Sequence, residues 1–281
     1  MLWMGLAWMA AMGGAAEAGP WVKAPGELYA KAGYVQFRAD EFVDPSGATL
    51  SGVDYTGHTS HLYGEVGLVG PVQVVFNAPF VGSRNTLGEV AYVNRAFGDL
   101  DVGLEAGTTL GDVPVSLQVL TKVPLYDNAE LLAYGASGGR FPAIGDGQVD
   151  LTALGAVGTG IAAGGFRGWW AAEVGYRHRT EWWAGDASAP ERVLVDSIPW
   201  HLQLGWSPTF GSWEAGWWSV DAWAVQNLRQ SDNTKEWFQL VSSLGARVGG
   251  GVALELGYSQ MIWGRAPSLG QSLLAGVSFT R

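Results

Sequence analysis

In Leu100, Val102, Leu104 and Ala106 every second residue is apolar, and the residues between them are Asp101, Gly103, Glu105 and Gly107. Strict alternation marks a β-strand with two unlike faces, because successive strand side chains point to opposite sides. The period returns in Val113, Val115, Leu117 and Val119, in Trp170, Ala172, Val174 and Tyr176, and in Ile198, Trp200, Leu202, Leu204 and Trp206. About twelve such segments follow one another, near 27–37, 60–69, 71–81, 98–110, 113–123, 147–161, 168–182, 194–206, 214–228, 236–248, 251–263 and 270–280. The 42 glycines disfavour helices, and an aromatic content of 12% suits strands. The longest uncharged runs, Val66 to Ser83, Leu151 to Phe166 and Ser197 to Trp213, are each broken by Gly, Thr or Pro. No stretch of about 20 apolar residues remains to form a membrane-crossing helix. The chain reads as all-β.

Segment length separates a soluble sandwich from a membrane barrel. Sandwich strands cluster around 5–6 residues, whereas a tilted strand needs about 9–11 to cross a bilayer. Most segments here reach the longer figure, which predicts a transmembrane antiparallel up-and-down β-barrel of about 12 strands. The connections alternate in the manner of outer-membrane barrels, which have short periplasmic turns and longer outer loops. Long ones fall near 38–59, 82–97, 124–146, 183–193, 229–235 and 264–269; short ones fall at Gly70-Pro71, Gly111-Asp112, Ala162 to Arg167, Ser207 to Trp213 and Gly249-Gly250. Charged residues make up only 15% of the chain, against roughly 25% in a soluble domain. Twelve of the 15 tryptophans lie between Trp169 and Trp263, often at segment ends, where indole suits the bilayer interface.

The N-terminus reads as a secretory signal. Met1 to Ala16 is uncharged and apolar, and Ala16-Glu17-Ala18 offers an A-x-A cleavage pattern, although no Lys or Arg precedes Lys23. The expected division is therefore a signal peptide over 1–18 and an outer-membrane barrel over 19–281. The last segment, with Leu273, Ala275, Val277 and Phe279, is similar to the terminal strands read by bacterial barrel-assembly machinery, but it runs on to Thr280-Arg281. Zero cysteines exclude disulfide scaffolds, thiolate catalysis and cysteine-ligated zinc. A net charge of −10 opposes capture of phosphate backbones and argues against nucleic-acid binding.

Strand parity places the ionisable side chains inside. The acids Glu65, Asp101, Glu105, Asp150, Glu173, Asp221 and Glu255 are expected to point inward with Lys122, Arg177, Arg179 and Arg247, and His201 falls on the same polar parity. Asp221 is the weakest of these assignments, since Trp217 and Trp223 share one parity of its segment and Trp218 takes the other. These residues either line a mildly cation-favouring path, as rings of carboxylates do, or pair with one another and hold the lumen shut. Inward glycines, Gly103, Gly107, Gly158, Gly175, Gly205 and Gly257, are expected to leave room in the lumen. Twelve strands lie between the filled eight-stranded and the open sixteen-stranded barrel, so a narrow path is expected.

Catalytic and metal signals are weak. Gly135-Ala136-Ser137-Gly138-Gly139 matches G-x-S-x-G but lies in a glycine-rich loop rather than between a strand and a helix. His58 and His61 read as a solvated loop pair without the further ligands of a closed metal site. His178 falls on the apolar parity, near the interface. No catalytic residue, metal or cofactor is expected.

Several short motifs resemble one family. Trp21-Val22-Lys23-Ala24-Pro25-Gly26-Glu27-Leu28-Tyr29, Phe97-Gly98-Asp99-Leu100, Thr121-Lys122-Val123-Pro124 and Gly145-Asp146-Gly147-Gln148-Val149-Asp150 look like the outer-membrane barrels of meta-pathway phenol degradation, distant relatives of the long-chain fatty-acid transporter barrels. The resemblance implies a twelve-stranded channel for small molecules, hydrophobic ones included, and no catalytic residues. Fatty-acid transporters are larger, with a longer N-terminal plug, and the residues between Gly19 and Gly26 leave little room for one. The expected function is passage of small molecules across a bacterial outer membrane, with membrane lipid, the assembly machinery and a small solute as partners. The alternative is a closed structural or binding barrel acting through its outer loops.

Overall fold

A computed structural model of the chain describes residues 19–44, 46–87, 89–126, 144–163, 166–183, 194–210, 213–214, 216–230, 234–265 and 268–281. Fourteen β-segments follow in order: β1 (Leu28–Val43), β2 (Thr49–Val69), β3 (Val72–Leu87), β4 (Val90–Phe97), β5 (Asp99–Leu110), β6 (Val113–Pro124) and β7 (Gln148–Ala163). They continue with β8 (Phe166–Trp183), β9 (Ser197–Phe210), β10 (Trp213–Glu214), β11 (Gly216–Asn227), β12 (Glu236–Gly249), β13 (Val252–Arg265) and β14 (Ser268–Thr280). All pairings are antiparallel, and the sheet closes because β14 pairs with β1 while β8 pairs with β9. The fourteen segments make twelve staves. β3 pairs with β5 from Val72 to Asn77 and with β4 from Phe80 to Leu87. At the break, Ala78 and Pro79 oppose Gly98, Asp99 and Leu100, a bulge at the point where Pro79 has no N–H to give the ladder. β10 and β11 likewise share one flank of β9.

The alternating pattern sorts as expected. Leu62, Val102, Leu104, Leu117, Val119, Val174, Leu202, Leu204, Leu256 and Leu273 are exposed on the outer wall, where lipid covers them, while their polar neighbours are buried inside. One further feature is not in the alternation. Strand β2 has 21 residues, about 70 Å of chain at about 3.3 Å per residue, so the wall extends well beyond a bilayer. The segments expected as long loops at 38–59 and 82–97 are consequently mostly strand, with short turns between Val43 and Thr49 and between Leu87 and Val90. There the outer face meets water instead of lipid, Arg38, Asp40, Arg84 and Arg95 are exposed on it, and the apolar period fades. At the opposite end the turns are short, and Gly70, Gly111 and Gly250 take positive φ in them, a conformation that suits glycine in tight hairpins.

Tryptophan placement is only partly interfacial. Trp182, Trp206, Trp218 and Trp263 are exposed on the outside, but Trp169, Trp217 and Trp223 share the inward parity of the charged residues and face the lumen. The seam between β1 and β14 continues past Phe279, since Arg281 and Leu28 exchange two backbone hydrogen bonds of 2.9 Å. The chain beyond the terminal aromatic is therefore part of the closure.

Two outcomes follow from this wall. An epitope tag inserted at Gly47 is expected to be labelled on intact cells and one at Gly250 to be protected; the reverse pattern would invert the barrel. Leu104→Arg is expected to destabilise the barrel by about 2–4 kcal/mol if it lies near the bilayer midplane, with Glu105→Gln close to wild type, as read by refolding into lipid vesicles.

Candidate functional site

Register turns the inward charges into a row. Asn77 stands opposite Asp101, Asp101 opposite Lys122, Lys122 opposite Asp150, and Asp150 opposite Arg179. Directly opposed residues of an antiparallel pair are the closest neighbours across a sheet, so the row spans five strands and alternates in charge over the four from β5 to β8. The Lys122 ammonium lies 2.7 Å from Asp150 and 3.8 Å from Asp99, and Arg179 lies 2.7 Å from Asp150. The chain just before β7 joins in: Asp146 lies 3.0 Å from Arg179 and 3.7 Å from Lys122. Ile144 packs there against Val81 and Tyr126, and Tyr126 donates to Asp99 at 3.0 Å. Burial acts to raise the Asp146 carboxyl, but Arg179 and Lys122 outweigh it and hold it well below the usual carboxylate range. Its stabilising contribution is present above the unfolded value of 3.8 and is lost only as pH falls through the lower folded value.

A second cluster lies on the adjoining strands β8, β9 and β11. His201 stands opposite Trp223 and stacks on it at 3.6 Å between centroids. Its Nε2 is 2.9 Å from Asp221 and its Nδ1 is 3.6 Å from Glu173. Gln203 donates to Asp221 at 2.8 Å and accepts from the Trp169 indole at 2.8 Å. Asp221, the least certain assignment, thus points inward, with Trp217 and Trp223 beside it and Trp218 outward on Ser242. Lys31, which falls on the inward parity of β1 but is not among the candidates named from the sequence, pairs with Glu255 at 2.8 Å. Arg177 is buried beside Thr152. Arg247 keeps the inward parity but sits exposed at the short-turn mouth, near Trp217 and Thr280.

The N-terminal segment enters the barrel. Lys23 donates its backbone N–H to Gln73 at 2.7 Å and brings its ammonium to 3.4 Å from Glu65, and Gly26 donates to Gly67 at 3.0 Å. Gly19 lies beside Trp21 and Ala171. Residues expected to be too few for a plug therefore occupy the lumen on the short-turn side. The inward glycines also behave differently from expectation. A Cβ at Gly205 would collide with the Trp169 ring, one at Gly245 with the Trp217 ring and one at Gly33 with the His61 ring, while Gly107 is covered by Val22. Much of the space left by glycine is filled by rings and by the N-terminal segment.

Among the described residues a cavity of about 130 Å³ stays open, walled by Tyr63, Glu65, Asn77, Asp101, Glu105, Gln118, Leu120, Leu154, Glu173 and Trp223, with Gly19 beside it. The two loop histidines prove to be strand residues on opposite faces of β2: His61 is buried inside, and His58 accepts from or donates to the Tyr34 hydroxyl at 2.6 Å outside. His178 is outward, 3.3 Å from Asp196. The segment from Gly135 to Gly139 lies outside the described residues.

No protein-family model matches the chain, and no curated protein does. Among solved structures it is similar to the COG4313 outer membrane channel from Pseudomonas putida F1, with 10% identity, a TM-score of 0.64, and coverage of 93% of this chain and 98% of that one. It is also similar to the NanC porin, with 10% identity, a TM-score of 0.50, and coverage of 90% and 98%. The fold is that of the outer-membrane β-barrels. With its lipid-facing belt, that fold locates the chain in an outer membrane.

Removing one member of a buried ion-pair network leaves its partners uncompensated. Lys122→Met is expected to destabilise the barrel by about 3–5 kcal/mol, and adding Asp150→Asn to recover part of the loss, both read from urea-dependent refolding.

Proposed function

We propose that the protein is an outer-membrane channel for small molecules, exported by its N-terminal signal and inserted by the barrel-assembly machinery. One observation carries this reading: the interior of the closed barrel is lined by ionisable side chains around a cavity, where a scaffold would be filled by apolar packing. Acid predominates along the cavity, with Glu65, Asp101, Glu105 and Glu173 facing it, and carboxylates in a confined lumen favour cations. Apolar surface is interleaved with them. Leu120, Leu154 and Trp223 face the cavity, and Val35, Phe37, Ala39 and Tyr55 form an apolar cluster inside the β1–β2 wall. Such a lining suits solutes with an apolar body and supports the resemblance to the phenol-degradation barrels.

A second reading has its own observation. The lattice of Lys122, Arg179, Asp146 and Asp150, with the N-terminal segment below it, narrows the lumen from both ends, as a closed scaffold would require. Planar-bilayer recording separates the two. The channel reading expects small conductance steps and, across a salt gradient, a reversal potential of cation-favouring sign that falls in Asp101→Asn/Glu105→Gln/Glu173→Gln. A folded, inserted barrel that passes no ions or small solutes would leave the scaffold.

A further inference from the structure

The cavity holds negative charge that the surrounding wall balances unevenly. Lys23 lies 3.4 Å from Glu65, and His201 lies 3.6 Å from Glu173. Glu105 differs from both. It is 5% exposed, its donors are the neutral amides of Gln73 at 2.8 Å and Gln118 at 3.3 Å, and no ion pair forms with it among the described residues. Asn77, also 5% exposed, faces the same cavity, and its Oδ1 receives no hydrogen bond. A buried carboxylate without a counter-ion and a buried amide oxygen without a donor both raise the free energy of the folded state. A cationic N–H donor placed at Glu105 relieves the larger of the two costs.

The spacing of these acceptors argues against a bare metal ion. Among the described residues no three acidic or histidine groups converge closely enough to ligate one, so the acceptors are spread over the wall. Between them the wall is apolar: Val75, Leu120 and Leu154, with Trp223. A cavity of about 130 Å³ is close to the size of the cavity of about 150 Å³ that admits benzene, and an indole ring attracts a nearby cation.

We propose that this chamber is a binding site for a small primary ammonium carrying an apolar body the size of one aromatic ring, with the ammonium held by Glu105. The proposal rests on the channel reading for the ligand's route to the chamber and not for its affinity. Benzylammonium is the probe, with benzyl alcohol and benzoate as its neutral and anionic counterparts, and binding is read by titration calorimetry of the refolded full chain in detergent at low salt. Benzylammonium is expected to bind one-to-one and the counterparts not to bind. Glu105→Gln is expected to weaken it about ten-fold or more, and Asp112→Asn, in an exposed turn, to leave it unchanged. Leu154→Trp, which fills the chamber, carries the same test should Glu105→Gln fail to refold. Equal binding of benzyl alcohol, an unaltered affinity in the folded chamber variants, or displacement by calcium at equal concentration would each overturn the assignment. A conducting barrel that binds no benzylammonium defeats this proposal alone, and a barrel that binds it but conducts nothing defeats the channel reading alone.

Discussion

A backbone N–H or C=O surrounded by hydrocarbon has no water to bond, and each one left unpaired costs several kcal/mol. Closure of the sheet is the condition on which the rest of this structure depends. The seam between β1 and β14 removes the two free edges that twelve staves would otherwise expose, and Leu28 and Arg281 extend it by two more hydrogen bonds. Once the edges are gone, the outer surface can be as apolar as the lipid and the ionisable groups have one place left to go.

Putting those groups inside creates the second constraint. Charges removed from water are stable only when paired or hydrogen-bonded. The protein meets this with register: Asp101, Lys122, Asp150 and Arg179 stand in directly opposed positions on four successive staves. The segment carrying Asp146 closes over that row from the loop side. The wall between β2 and β6 is compensated differently, by amides at Glu105 and by the N-terminal lysine at Glu65. The lumen is therefore divided into a neutralised upper row and a chamber that keeps a negative field.

The parity of the charged candidates was legible in the sequence, least clearly at Asp221 where tryptophans take both parities, because alternation is a local property and needs no knowledge of what a strand pairs with. That is why Glu65, Glu105, Glu173 and Asp221 could be placed inside. Which acid meets which base was not legible, since opposition depends on turn geometry and on bulges such as the one at Pro79. The neighbours expected for Lys122 lay anywhere on the inward face, and the structure selects Asp150, Asp99 and Asp146. The reach of the strands was underestimated at Arg38 and Arg84 because a wall with water on its outer side has no reason to alternate. Trp21 to Pro25 carries no periodic signal, so its place in the lumen could be found only in three dimensions.

The glycines beneath Trp169 and Trp217 bear on how the bore can change. Each ring rests over a residue without a side chain on the facing strand, so the local diameter is set by the ring and its backbone floor together. Enlarging the glycine pushes the ring off a rigid sheet. Shortening the tryptophan vacates a ring-sized volume and leaves the ladder of hydrogen bonds untouched. Width in this barrel is thus adjustable one side chain at a time, from one side of each pair, without altering the number of staves.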